Sequence, residues 1–252
     1  MLKKRVIPTL LMLEGRLVKG KEFKDFRDTG NPRTTMRGFS AQHSDEIMLI
    51  NLSKTEDAFS NLLEVVKDTA AECFMPLTVG GGVRSIDDVK HLLRAGADKV
   101  AVNTQAINRP DFIAKASSQF GSQCIVVSAD VRRHDNGEFE VFTLSGTQPT
   151  GLDPVNVARK AEQAGAGEIL ITSIERDGAM MGYDIELIGS VTESVSIPVI
   201  ASGGVGTLDH LHDGIVKGGA SAVLAASIFH YGEYKIKEAK EYLNSKNVSV
   251  RL

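Results

Sequence analysis

Leu77-Thr78-Val79-Gly80-Gly81-Gly82 is a short apolar run that ends in three glycines, and Pro198-Val199-Ile200-Ala201-Ser202-Gly203-Gly204 repeats the design in the second half of the chain. Both runs have strand length, and both precede a segment of helical periodicity. Successive glycines after a strand let backbone N–H groups approach an anion, and a helix N-terminus behind them adds positive potential. Each run is followed at a similar interval by a second one with a small or hydroxyl-bearing end: Val100-Ala101-Val102-Asn103-Thr104 and Val223-Leu224-Ala225-Ala226-Ser227. Two such pairs of strand ends point to two phosphate-type anion sites on one scaffold. Tight helix-to-strand packing also selects glycine, so it is the doubling that favours anion binding.

Apolar runs of strand length recur at 6–12, 47–52, 77–79, 99–102, 124–129, 168–172, 197–201 and 222–225. Segments of helical period lie between most of them, at 61–72, 86–95, 111–120, 153–164, 185–195 and 207–217. Several stop at glycine, as at Gly96, Gly165 and Gly218, which is the usual C-terminal signal. Eight strands alternating with helices in 252 residues is the count of a (β/α)8 TIM barrel. An open doubly wound sheet is the alternative. An internal repeat favours the barrel: 49–58 aligns with 170–179, and the glycine runs and the pair Gly96-Ala97-Asp98 and Gly219-Ala220-Ser221 fall about the same distance apart. A period near 121 residues, as from Asn51 to Thr172, means two similar half-barrels in one domain spanning 1–252. Under that symmetry Leu11 and Asp130 are counterparts at the ends of the first and fifth strands.

Two insertions, 15–37 and 132–151, follow those same two strands. Loops of that length in a compact domain serve as functional lids or are disordered. Both belong to the C-terminal face, where barrels of this class carry their sites. The second contains 137–144, read as a small hairpin.

Composition narrows the function classes. A formal net charge of -3 with no basic block argues against a nucleic-acid partner. No apolar run is long enough to cross a bilayer, and the N-terminus lacks a secretory apolar region, so the expected location is cytoplasmic. Cys73 and Cys124 read as buried free thiols in a reducing compartment. The six histidines have no metal-site spacing, and Ser145 has no triad partners, so neither a metal nor a nucleophilic serine is expected. No cofactor is expected.

With these motifs in place, the chain resembles the cyclase subunit of imidazole glycerol phosphate synthase, the HisF family, over essentially its whole length. The stretches that carry the likeness are 4–7, 15–20, 78–82, 96–100, Asn103-Thr104, 165–170, 172–178 and 201–204. The resemblance implies a (β/α)8 barrel that receives ammonia from a glutaminase partner, in a heterodimer, and uses it to cleave and cyclise a bisphosphorylated ribulosyl intermediate. It implies phosphate-binding positions at Gly82, Asn103 and Thr104 and at Asp177, Gly178, Gly204, Ala226 and Ser227. It implies an ammonia gate of Arg5, Glu46, Lys99 and Glu168 at the barrel floor, and Asp98 facing the glutaminase. It implies a catalytic acid pair at the ends of strands one and five. Asp130 matches, and Lys19 in the first lid loop is kept. Leu11 stands where the family has the second aspartate, and Asn51 stands where another aspartate is usual.

A leucine neither gives nor accepts a proton, and loss of one positioned acid–base group typically removes ~10²–10⁴-fold in rate. The expectation is therefore a divergent paralogue with weak cyclase activity that delivers ammonia to another acceptor, such as a surface sugar modified by a third enzyme. A working cyclase with a rearranged acid and a non-catalytic scaffold that activates the glutaminase are the alternatives. Asp130, after an apolar strand, suits a general acid or base with a raised pKa, or else a solvated carboxylate that binds a loop amide. The four gate charges are alternatively solvated residues at strand starts. Asp177 is expected to act through loop geometry, because its charge repels an anion.

Overall fold

The computed structural model describes residues 3–252. Twelve strands run in chain order as β1 (Arg5–Leu13), β2 (Arg16–Lys21), β3 (Lys24–Gly30), β4 (Ile47–Asn51), β5 (Leu77–Gly80), β6 (Lys99–Val102), β7 (Ile125–Arg133), β8 (Phe139–Thr143), β9 (Gln148–Pro149), β10 (Glu168–Ser173), β11 (Val199–Ser202) and β12 (Ala222–Ala225). Eight of them, β1, β4, β5, β6, β7, β10, β11 and β12, pair in parallel, and the β12–β1 and β7–β10 ladders close the circle. The (β/α)8 barrel is therefore as read, and an open doubly wound sheet is excluded.

Helices alternate with the strands because the sequence starts and stops them locally. Asn31 caps Pro32–Ala41, Ser85 and Asp88 form a reciprocal capping box on Ile86–Ala95, and Asp153, Asp184 and Thr207 cap the helices that follow them. Gly96, at φ +115, ends Ile86–Ala95 in the left-handed conformation. Outward-facing strand residues such as Val6, Leu49, Val79, Val100 and Val127 meet helix residues such as Leu62, Val89 and Leu92 in the large core between the two layers. A second, smaller cluster, including Ile7, Met48, Val126, Leu170 and Ile200, fills the barrel interior.

The first and fifth strands overrun the barrel. β1 continues to Leu13 and pairs antiparallel with β2, Leu11 opposite Val18. β7 continues to Arg133 and pairs with β8, Asp130 opposite Phe142. Leu11 and Asp130 therefore sit inside strands rather than at strand ends. The hairpin expected at 137–144 is formed instead by the end of β7 with Phe139–Thr143. The insertion 15–37 is an ordered β2–β3 ribbon that leads into the helix Pro32–Ala41. No helix among the described residues is long and apolar enough to cross a membrane. Cys73 and Cys124 are free, but both are only half-buried.

Candidate functional site

Alternate residues of a strand face the same side, so β1 sends Arg5, Ile7, Thr9 and Leu11 into the barrel one above the other. Neighbouring strands do the same, and the interior becomes three layers: charged at the floor, apolar in the middle, and mixed at the top.

The floor is a closed ring of four ion pairs. Arg5 Nη1 lies 2.6 Å from Glu46 Oε2 and 3.1 Å from Glu168 Oε1. Lys99 Nζ lies 2.9 Å from Glu46 Oε2 and 3.0 Å from Glu168 Oε1. Glu46 is only 1% exposed, which removes the reading of these four as solvated strand starts. Thr78 Oγ1 donates to Glu46 Oε1 at 2.5 Å. Thr78 was not singled out in the sequence, yet the alternation that points Gly80 inward on β5 also points Thr78 inward. The ring is neutral overall, and each carboxylate faces both cations. Above it, Ile7, Met48, Val126, Leu170 and Ile200 form an apolar layer.

The top layer opens into a cavity of about 390 Å³. Leu11 and Asp130 both line it, together with Thr9, Lys19, Asn103, Thr104, Ser128, Thr172, Asp177 and Ser202. The two counterparts expected from the repeat thus share one chamber. The β2–β3 ribbon and the loops after β8 and β10 roof it. Glu22 N donates to Asp177 O at 2.9 Å, and the Phe23 ring lies over Gly146, where a Cβ would meet it at 3.0 Å. Lys19, 5% exposed, reaches from β2 to within 3.6 Å of Asp177 Oδ1. Asp177 therefore carries a cationic partner as well as a loop geometry.

Beside Lys19 the backbone of Gly178, Gly204, Ala226 and Ser227 forms a small cup contiguous with the chamber. Gly204 holds φ +106, and a Cβ there would meet Gly182 O at 2.2 Å, so only glycine fits this bend. Gly82, at φ +74 with open space around it, does not line the chamber. Asn51 is also outside it. Its side chain donates to Ala58 O and accepts from Ser53 N, bracing the loop after β4. Asp98 lies exposed at the opposite end of the barrel, where its Oδ2 accepts from Leu77 N at 2.8 Å. It lines a separate groove of about 360 Å³ with Phe74, which is 92% exposed. Ser145 lines the chamber, and among the described residues no group of three or more His, Cys, Asp or Glu side chains is placed to hold a metal ion.

Burial at the chamber wall, reinforced by the Asp177 carboxylate, pushes Asp130 up to about 7. Near neutral pH this group can therefore give or take a proton. His230 moves the other way, down to about 4, because burial disfavours its charged form and Lys19 lies close by, with the contact to Thr9 O opposing the shift in part. An acid whose folded pKa is raised binds more protons folded than unfolded, so Asp130 makes stability fall as pH climbs from the ordinary carboxylate value to about 7. His230 makes stability rise from about 4 towards its ordinary 6.5. Asp130→Asn is expected to gain on the unaltered protein across pH 5 to 8, in urea midpoints taken at each pH. A constant difference would show that Asp130 does not titrate in this window.

A family model described as "Histidine biosynthesis protein" matches residues 5–235 of the chain.

Proposed function

We propose, from the premise that this chain belongs to the histidine biosynthesis protein family, that it is the ammonia-receiving barrel of a glutamine amidotransferase, paired with a separate glutaminase. We propose further that it passes ammonia to an acceptor other than the ribulosyl intermediate of its relatives, such as a sugar held by a third enzyme. The observation that carries this reading is the pairing of an intact floor with an altered ceiling. The four-charge ring is complete, whereas the chamber holds Asp130 on one side and Leu11 at its counterpart position.

The physical route is simple. The glutaminase docks at the floor, where Asp98 and the protruding Phe74 are exposed. Swinging one ring cation aside opens a path for a small neutral molecule. Ions do not follow, because the apolar layer above the ring offers no partners and desolvating an ion costs several kcal/mol. Ammonia emerges in the chamber beneath the ribbon. There Asp130 can handle one proton transfer, while Leu11 handles none. The cup at Gly178, Gly204, Ala226 and Ser227 holds a phosphate group, with Lys19 offsetting the charge of Asp177.

The test is turnover of the bisphosphorylated ribulosyl intermediate with ammonium salt. The unaltered protein is expected to be slow, and Leu11→Asp is expected to raise the rate by about tenfold or more, a part of the ~10²–10⁴-fold contributed by a positioned acid–base group. Robust turnover by the unaltered protein would overturn ammonia delivery and leave the working cyclase.

A further inference from the structure

The chamber is two-faced. Leu11 and Leu13 of β1 and Ile50 and Leu52 on and after β4 sit side by side, with Leu11 opposite Ile50 in the parallel ladder. All four are half-exposed into the chamber, and Phe26 of the ribbon, 37% exposed, extends their surface upward. Lys54 is the charged residue at the rim of this side. The opposite wall, from β7, β10 and β11, carries Ser128, Asp130, Thr172 and Ser202. Branched side chains left half-exposed on a concave wall have an unmet gain from contact with an apolar group.

The chamber's two ends also differ. At the cup, Lys19 stands beside Gly178 and Gly204 and is paired with Asp177 Oδ1 at 3.6 Å, too far for a hydrogen bond, so an anion there competes with Asp177 for its ammonium. At the other end the side chains are already engaged. Thr104 Oγ1 accepts from Leu144 N at 3.3 Å and donates to Asn103 Oδ1 at 3.2 Å. Asn103 Nδ2 donates to Ser128 O at 3.1 Å and Phe142 O at 3.3 Å, with Asp130 Oδ2 at 3.5 Å. An anion there would meet the Asp130 carboxyl and the half-exposed Leu144 instead of free donors.

We infer that this chamber binds a monophosphate ester with an apolar body, aryl or alkyl, its phosphate in the cup beside Lys19 and its body against Leu11, Leu13, Ile50 and Leu52. The inference rests on the reading of the cup as a phosphate site and departs from a bisphosphate with a sugar body. The hydrocarbon wall rewards an aromatic ring, whereas a ribose finds partners only on the wall of Ser128, Asp130, Thr172 and Ser202 and leaves any hydroxyl turned to the leucines unpaired, which is costly.

Calorimetry with inorganic phosphate, ribose 5-phosphate and phenyl phosphate separates the claims. Phenyl phosphate is expected to bind about tenfold or more tightly than ribose 5-phosphate, since burying a ring's worth of apolar surface is worth at least one decade in affinity. Leu11→Thr and Ile50→Thr should each weaken phenyl phosphate while leaving inorganic phosphate unchanged. Both positions are half-exposed, so the fold tolerates them, and the phosphate arm verifies that the cup is intact. If both esters bind and ribose 5-phosphate binds as well or better, the apolar-body inference fails and the cup stands. If neither the esters nor phosphate bind, the cup itself fails and takes the inference with it.

Discussion

Gly81→Ala is expected to remove roughly 4 kcal/mol of stability, or to leave the protein insoluble. Gly81 has φ +90, and a Cβ there would lie 1.9 Å from Asn51 O and 2.7 Å from Asn51 C and N. The left-handed conformation alone costs an alanine ~1–2 kcal/mol, and displacing packed backbone adds ~1–3 kcal/mol. Domains have only ~5–15 kcal/mol in hand. Gly82→Ala is the control, since its φ is +74 but its Cβ would meet nothing within 4 Å. It should cost about 1 kcal/mol, the left-handed contribution alone. Urea midpoints at unchanged m-value read both; equal losses at the two positions would mean that the β5 turn does not bear on the loop after β4 as described.

Glu46→Gln is expected to cost about 2–4 kcal/mol. Removing one partner of a buried ion pair typically costs ~3–5 kcal/mol, and the figure is lowered here because Arg5 and Lys99 are 22% and 15% exposed and regain some water. Both cations would then share Glu168. Adding Lys99→Met should recover part of the loss, because the second change removes a cation left short of partners, so the two effects are not additive. Under the proposed pairing with a glutaminase, Lys99→Met should also alter how much ammonia reaches the acceptor relative to ammonia released to solvent. Unchanged partition, with the fold intact, would favour a barrel that merely activates its partner.

Several site features were legible from spacing alone. Strand order in the two similar halves made Leu11 and Asp130 counterparts on the first and fifth strands, and both line one chamber. The four charges at strand starts came from family likeness, since positions on the first, second, fourth and sixth barrel strands show no simple alternation. They meet because the strands tilt and stagger around the barrel, bringing Lys99 of β6 within 3.0 Å of Glu168 of β10. Asn51 stays out of the chamber for a related reason. On a strand, parity decides the face, and Asn51 is one residue out of phase with Ile50, so its side chain turns towards the loop it braces.

The sequence by itself determined the alternation of strands and helices, the half-barrel period and the ends of most helices. All of these depend on near neighbours: hydrophobic period, caps and glycine conformations. Tertiary structure alone decided that Thr78 joins the ring, that Lys19 neutralises Asp177, and that the two long insertions fold into strands over the chamber. It also decided that the leucines of β1 and β4 make one wall. These pairings join residues far apart in the chain, and a closed barrel brings them together only when its shear sets which residue of one strand stands beside which residue of the next.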